Sequence, residues 1–137
     1  MPSGTIEKTE VVPIASSSDV VLVRQRVRVW VTEQKFSLVD QTKFITAASE
    51  LARNTLEYGG GGSLELALIV NGVRRGIRLR FSDQGPGIPD IALALKDGYT
   101  SGSGLGLGLG GSKRLVNEFE IESKPGGGTT VTAIRWK

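Results

Sequence analysis

The sequence predicts an α+β fold, a two-layer α/β sandwich in which a mostly antiparallel sheet carries helices on one face. Two helical patterns occupy the first half of the chain, and two hairpin patterns follow. Each hairpin has alternating apolar residues on both sides of a glycine-containing turn, which is typical of strands with one buried face. No repeat or linker divides the chain, so we expect one domain over residues 1–137, with residues 1–10 disordered.

The first half contains a short strand and two helices. "TEVVPIASSSD" predicts a strand that ends in a capping cluster, with Ser18 or Asp19 as the helix cap. The valine-rich segment 20–34 could be a strand by composition, but its valines at 20, 23, 27 and 31 share one helical face, which favours a helix. Ser37 opens a capping-box-like pattern, and a second helix runs to Tyr58 before four glycines end it. Its predicted apolar face consists of Phe44, Ile45, Ala48, Leu51, Ala52 and Thr55.

The second half contains the hairpins and two shorter helices. Asn71-Gly72 lies between two alternating runs, which predicts an antiparallel hairpin with a tight turn. The same scheme recurs at the end of the chain, where "PGGG" separates "FEIESK" from "TTVTAIRW". Between the hairpins we expect helices near residues 90–97 and 111–118.

Composition excludes several kinds of chemistry. The 137 residues include no cysteine and no histidine, so thiolate metal sites, disulfides and histidine bases are ruled out. The formal charge is only +3 and the basic residues are scattered, so nucleic acid is not an expected partner. A nucleic-acid-binding domain that uses residues 74–80 is the weaker alternative. The chain has no apolar run long enough for a membrane span and no signal pattern at its start, so we expect a cytoplasmic protein.

A glycine-rich stretch, "GYTSGSGLGLGLGGS" at 98–112, is the first candidate binding element. Such composition is also typical of flexible linkers. Here leucines alternate with the glycines and a helix follows at once, which favours an anion site built from backbone amides. The order of Gly, Ser and Lys does not fit a P-loop, and no strand precedes the stretch as a dinucleotide-binding loop requires.

"DQGPGIP", at 83–89, directly follows a predicted buried strand. One interpretation is a surface turn in which Asp83 bonds to its own backbone. The other is a ligand floor, because two glycines let the backbone approach a flat ligand while the carboxylate accepts from an exocyclic amine.

The second long helix carries polar residues beside its apolar face. Glu50 and Asn54 are four residues apart, so they lie on one face about 6 Å apart along the axis. With Arg53 and Glu57 they could form no more than an exposed ion network. The functional interpretation is a Mg²⁺ site beside a triphosphate, with the amide of Asn54 as ligand and Glu50 orienting or deprotonating a hydroxyl.

Together these stretches resemble the GHKL superfamily of nucleotide-binding domains. "ELARN" at 50–54 is similar to its N box, "DQGPG" at 83–87 to its first glycine box, and "GSGLGLGL" at 102–109 to its second. "GTT" at 128–130 resembles the late threonine segment of that superfamily. Within it, residues 11–137 are most similar to small anti-sigma-factor serine kinases of the RsbT type.

This resemblance implies a Bergerat-type sandwich that binds ATP and Mg²⁺. By position, Asn54 would ligate Mg²⁺, Glu50 would be the general base or would organise water, and Asp83 would recognise the adenine amine. Thr129 would support the adenine, and Lys113 or Arg114 would reach phosphate. The remaining nucleotide contacts would come from the N box, the adenine floor and a lid over the phosphates, namely Arg53, Gly85, Gly87, Ile88, Gly102, Gly104, Leu105, Gly106, Leu107 and Gly108.

The resemblance also implies the partners. An RsbT-like kinase would phosphorylate a serine on a STAS-domain antagonist and could activate a PPM-type phosphatase, so that it controls a stress or sigma-factor pathway. The alternative is a non-catalytic ATP-binding module that acts as an anti-sigma factor or a phosphatase activator. The Gly-Leu alternation of the lid favours this non-catalytic alternative, because the family is expected to interrupt the lid with Ala or Pro and the extra glycines make it more flexible.

Overall fold

The protein is described by a computed structural model that covers residues 4–88, 90–95 and 108–137. The elements in chain order are β1 (Thr5–Ile14), α1 (Ser17–Glu33), α2 (Leu38–Glu57), β2 (Gly62–Asn71), β3 (Arg74–Asp83), α3 (Ile91–Ala94), α4 (Gly108–Lys113), β4 (Glu118–Ser123) and β5 (Thr129–Trp136). The α+β class and its two layers agree with the sequence prediction.

The five strands form one sheet in the order β1-β2-β3-β5-β4, and every neighbouring pair is antiparallel. The predicted hairpin at Asn71-Gly72 is confirmed, since Asn71 pairs with Arg74 and Gly72 has a positive φ of 64°. That conformation is inexpensive for glycine. The central strand β3 lies between β2 and β5, so its last residue, Asp83, lies in the middle of one end of the sheet.

Helix α1 is confirmed as a helix although its composition is valine-rich. Its buried residues Val20, Val23, Val27, Trp30 and Val31 follow helical spacing, and the sheet and α2 cover them. The predicted caps Ser18 and Asp19 are wrong, because the helix begins at Ser17 with Ser16 as its N-cap. Asp19 instead accepts a hydrogen bond from the backbone N–H of Ala15 at 2.8 Å, which stabilises the same end from the first turn.

Helix α2 begins as predicted, with the hydroxyl of Ser37 accepting from the backbone N–H of Asp40 at 3.2 Å. The helix ends at Glu57, one residue before the predicted Tyr58. Arg135 of β5 donates to Asp40 and also to the carbonyl of Leu115 at 2.9 Å. The last strand is therefore tied both to the start of α2 and to the segment after α4.

The core lies between the helices and one face of the sheet. It contains Val12 and Ile14 of β1, alternate residues of the central strands, and the apolar faces of α1 and α2. The opposite face of the sheet carries a smaller cluster of Ala67, Ile69, Ile134 and Trp136. Helices thus pack on one face, as the alternation predicted.

Three boundaries differ from the prediction. Strand β1 begins at Thr5, so residues 5–10, expected to be disordered, pair with β2 instead. Helix α3 spans only Ile91–Ala94 within the described residues. Helix α4 spans Gly108–Lys113 rather than 111–118, because the chain must already enter β4 at Glu118. In the part of the chain that the structure describes, no helix has the length and apolar composition needed to cross a bilayer.

Candidate functional site

Helix α2 positions the polar residues of the N-box-like segment. Leu51, Ala52 and Thr55 bury the opposite side of the helix, so Glu50 and Asn54 lie at the edge of the core, both partly exposed. Arg53 donates to Glu50 at 2.9 Å, and the Glu50 side chain is only 14% exposed. The Arg53–Glu57 pair of the surface-network interpretation does not occur. The carboxylate predicted to act as base is instead held by the neighbouring guanidinium.

Asp83 ends β3 beside the end of α2. Its Oδ1 accepts from the backbone N–H of Gly85 at 2.8 Å and from that of Thr129 at 3.2 Å. The first contact is the Asx-type turn that the local sequence predicted. The second joins the two segments expected to bind adenine. No described residue donates to Oδ2, so this oxygen remains available to a ligand.

Glycines surround the Asp83 carboxylate. A Cβ on Gly59, the second residue after α2, would lie 2.4 Å from Cγ and 2.6 Å from Oδ2 of Asp83. A Cβ on Gly85 would lie 2.8 Å from the Cα of Gly59, and one on Gly128 would lie 2.2 Å from the carbonyl oxygen of Asp83. Such distances are too short for any other residue unless the Asp83 side chain moves away from Gly59 or the backbone shifts at Gly85 and Gly128. The glycines therefore allow α2, β3 and β5 to converge closely on one carboxylate.

Gly87 and Ile88 are held against β4. Gly87 has a φ of 83°, and a Cβ there would lie 2.3 Å from the carbonyl oxygen of Lys124. The backbone N–H of Ile88 donates to the hydroxyl of Ser123 at 2.7 Å, and that hydroxyl lies 3.0 Å from Oγ1 of Thr129. Asp83, Gly85, Gly87, Ile88 and Thr129 are thus brought together, as predicted.

Sequence reasoning missed two residues of this site. Gly59 is one of four consecutive glycines that end a helix, and no local sequence feature distinguishes it from Gly60. Ser123 is one polar residue of an alternating strand, and its contacts come from segments far apart in the chain. A local pattern carries no signal for either position.

The predicted lid lies mostly outside the described residues, since Gly102, Gly104, Leu105, Gly106 and Leu107 belong to that part of the chain. Gly108 is the first residue of α4. Lys113 is exposed at the last position of this helix, and Arg114 follows it. Both were predicted in the first turns of a helix and are instead at its other end. A helix N-terminus therefore no longer supports the predicted contact of Lys113 or Arg114 with phosphate.

The donor groups of this site fit magnesium ATP. Residues 4–88, 90–95 and 108–137 contain no group of three His, Cys, Asp or Glu side chains that could hold a metal ion. An all-protein cage is not what Mg²⁺ needs beside a triphosphate, because phosphate oxygens and waters supply most of its ligands. The side-chain amide of Asn54 bonds to none of those residues, and its oxygen suits Mg²⁺. Oδ2 of Asp83, to which none of them donates, suits the exocyclic amine of adenine.

The arginines of β3 bear on the nucleic-acid alternative. Arg75 donates to Glu7 at 3.0 Å, Arg78 donates to Glu65 at 3.1 Å, and Arg74 lies 4.4 Å from the ring centroid of Trp136. Three of the four arginines over residues 74–80 are therefore engaged within the fold, which argues against a phosphate-binding surface there.

Comparison with known proteins agrees with this geometry. The family described as "Histidine kinase-, DNA gyrase B-, and HSP90-like ATPase" matches residues 39–137, which include Asp83, Thr129 and all of α2 except its first residue. The chain belongs to this family. The ATPase family accounts for the sandwich with a five-stranded antiparallel sheet and confirms the GHKL resemblance.

One relative narrows the comparison. The chain is 42% identical over 125 residues to the serine/threonine-protein kinase RsbT of Bacillus subtilis (strain 168), covering 91% of this chain and 94% of that protein. The predicted similarity to RsbT-type kinases is confirmed.

Two solved structures share the fold. The RsbU and RsbW domains of Rv1364c from Mycobacterium tuberculosis match with a TM-score of 0.66 and 22% identity, over 96% of this chain and 33% of that one. The SiaB-SiaC complex from Pseudomonas aeruginosa matches with a TM-score of 0.55 and 16% identity, over 96% of this chain and 91% of that one. This chain thus corresponds to a third of the first structure's length.

Proposed function

We propose that this chain is an ATP-dependent protein-serine kinase that phosphorylates a STAS-domain antagonist and also binds a PPM-type phosphatase. The kinase class follows from the 42% identical RsbT relative and from the family match. The partner classes rest on the RsbT resemblance. The observation that carries the proposal is the state of Asp83, whose Oδ1 is saturated by two backbone donors while Oδ2 faces the end of α2.

The side chains divide the work between base recognition and phosphoryl transfer. Oδ2 of Asp83 accepts from the exocyclic amine of adenine, and the glycines around it admit the flat base. On α2, the amide oxygen of Asn54 is the protein ligand for Mg²⁺. Bound magnesium ATP supplies the transferable phosphoryl group and the cation that neutralises its charge.

Glu50 is the proton acceptor for the serine hydroxyl of the substrate protein. Arg53 fixes the direction of its carboxylate through the contact at 2.9 Å. A carboxylate is sufficient for this role in a chain without histidine, because phosphoryl transfer depends mainly on positioning and on stabilisation of charge.

The proposal is tested with labelled ATP, Mg²⁺ and a purified STAS-domain antagonist from the same genome. Wild-type protein should transfer label to a serine of the antagonist, and Asn54→Ala should abolish transfer. Glu50→Gln should slow transfer by about a hundredfold while ATP binding is retained. Glu57→Gln, an exposed change on the same helix, is the matched control and should transfer label normally.

The outcomes separate the two hypotheses for this family member. ATP binding without any transfer of label would overturn the kinase and favour the non-catalytic module. Transfer that survives Asn54→Ala would overturn the assigned metal site.

A further inference from the structure

Ser123, the last residue of β4, contacts three residues in two separate segments around the Asp83 site. Its Oγ accepts from the backbone N–H of Ile88 at 2.7 Å and donates to the carbonyl oxygen of Gly128 at 3.3 Å. It also lies 3.0 Å from Oγ1 of Thr129, its partner across the β4–β5 pair. One hydroxyl therefore links the first glycine box to the threonine segment.

The number of hydrogens favours one direction for these bonds. A serine hydroxyl has one hydrogen and two lone pairs. The backbone N–H of Ile88 takes one lone pair, and the single hydrogen goes to the carbonyl of Gly128. The third contact is then a hydrogen bond only if Thr129 donates to Ser123. All three contacts are satisfied in this arrangement. Donation from Ser123 to Thr129 would instead leave the Gly128 carbonyl with only its second donor, the backbone N–H of Lys124 at 3.2 Å.

The consequence falls on Thr129. Once its hydroxyl hydrogen is held by Ser123, its Oγ1 can only accept hydrogen bonds from a ligand. Thr129 also lies beside Asp83, since its backbone N–H reaches Oδ1 of Asp83 at 3.2 Å. Two acceptors, Oδ2 of Asp83 and Oγ1 of Thr129, therefore stand at the same end of the sheet.

We propose that Ser123 is a positioning residue that makes the Thr129 hydroxyl an acceptor and thereby selects a purine with an amino group at position 6. The inference rests on the proposed function, because it concerns the base of the bound nucleotide. Adenine presents amine hydrogens to both acceptors. Guanine presents a carbonyl oxygen there, which two acceptors repel. Ser123 thus acts on base selectivity through Thr129, without itself touching the base.

The test measures ATP and GTP affinity by calorimetry, together with the melting temperature. Ser123→Ala frees the Thr129 hydroxyl to donate, so ATP affinity should fall about tenfold relative to GTP affinity. Ser123→Cys, which keeps the side-chain size but is a weak donor and acceptor, should lower the ratio in the same direction. Ser123→Thr retains the hydroxyl and should keep the wild-type ratio of ATP to GTP affinity. Ser82→Ala, a serine on the other face of the sheet end, is the matched control and should leave the ratio unchanged.

A double-variant comparison distinguishes positioning from a structural role. In a Thr129→Val background, Ser123→Ala should have no further effect on the ATP-to-GTP ratio. An unchanged ratio in Ser123→Ala, even with a lowered melting temperature, would overturn the inference. An equal fall of the ratio with and without Thr129 would also overturn it. If wild-type protein bound no ATP, the proposed function itself would fail, which is a different result from ATP binding with an unchanged ratio.

Discussion

The backbone N–H of Thr129 donates to Oδ1 of Asp83 at 3.2 Å, where β5 begins beside the end of β3. Gly85 donates to the same oxygen at 2.8 Å. One oxygen of the carboxylate therefore belongs to the fold, and the other is the one that we propose binds the ligand. This division lets the two roles of Asp83 be separated by experiment.

Asp83→Asn should weaken ATP binding while the fold is preserved. Asparagine can keep an oxygen for the donors from Gly85 and Thr129, but it places an NH₂ donor where Oδ2 stood. The amine of adenine then meets a donor, so ATP affinity should fall about ten- to a hundredfold. Calorimetry with magnesium ATP measures this loss, and the melting temperature reports on the fold. Full ATP affinity in a folded Asp83→Asn protein would contradict the assignment.

Much of the fold was predictable because its signals are local. The Ser37 cap, the spacing of Leu51 and Thr55 on α2, and the turn at Asn71-Gly72 all depend on residues within one or two turns of each other. These elements leave few alternatives to a sheet with helices on one face.

The close packing of the site was not predictable because its contacts are distant in sequence. Asp83 and Thr129 are 46 residues apart, and only the family resemblance placed them together. Nothing in the sequence distinguishes Gly59, whose importance depends on the 2.4 Å between its hypothetical Cβ and Asp83. The boundaries of α4 failed for a related reason, since the start of β4 is set by pairing with β5.

Gly59→Ala should impair both stability and ATP binding. The added methyl group would lie 2.4 Å from Cγ of Asp83, so either α2 or the carboxylate must move. Overpacking of this kind costs about 1–3 kcal/mol of unfolding free energy. Because the displaced group is the one that we propose recognises adenine, ATP affinity should fall as well. Urea unfolding and calorimetry measure the two effects.

Gly60→Ala is the control for this change. A Cβ on Gly60 meets no atom within 4 Å, but its φ of 72° makes alanine strained. It should therefore lose about 1 kcal/mol of stability and keep its ATP affinity. Equal ATP affinity in the two variants would show that Gly59 does not shape the site.

Glu10→Gln should destabilise the protein in a pH-dependent way. Glu10 of β1 accepts from Arg26 at 2.5 and 2.8 Å and from the indole N–H of Trp30 at 2.8 Å, which fastens α1 to the edge of the sheet. Hydrogen bonds from Arg26 hold the pKa of Glu10 below its ordinary value of 4.5, although burial opposes them. At pH 7 the variant should lose about 1.5 kcal/mol of unfolding free energy.

The sign of the pH dependence follows from that depressed pKa. The stabilisation from Glu10 is fully present above pH 4.5, where the unfolded chain is also ionised, and it is lost as the pH falls through the lower pKa of the folded state. The unfolding free energies of wild type and Glu10→Gln, measured in urea, should therefore converge in acid. The other carboxylates contribute equally to both proteins. Glu33→Gln removes an exposed partner of Lys8 at 3.5 Å and should change stability by about 0.5 kcal/mol or less. A wild-type advantage that stayed constant from neutral pH into acid would show that Glu10 acts through its shape and not through its charge.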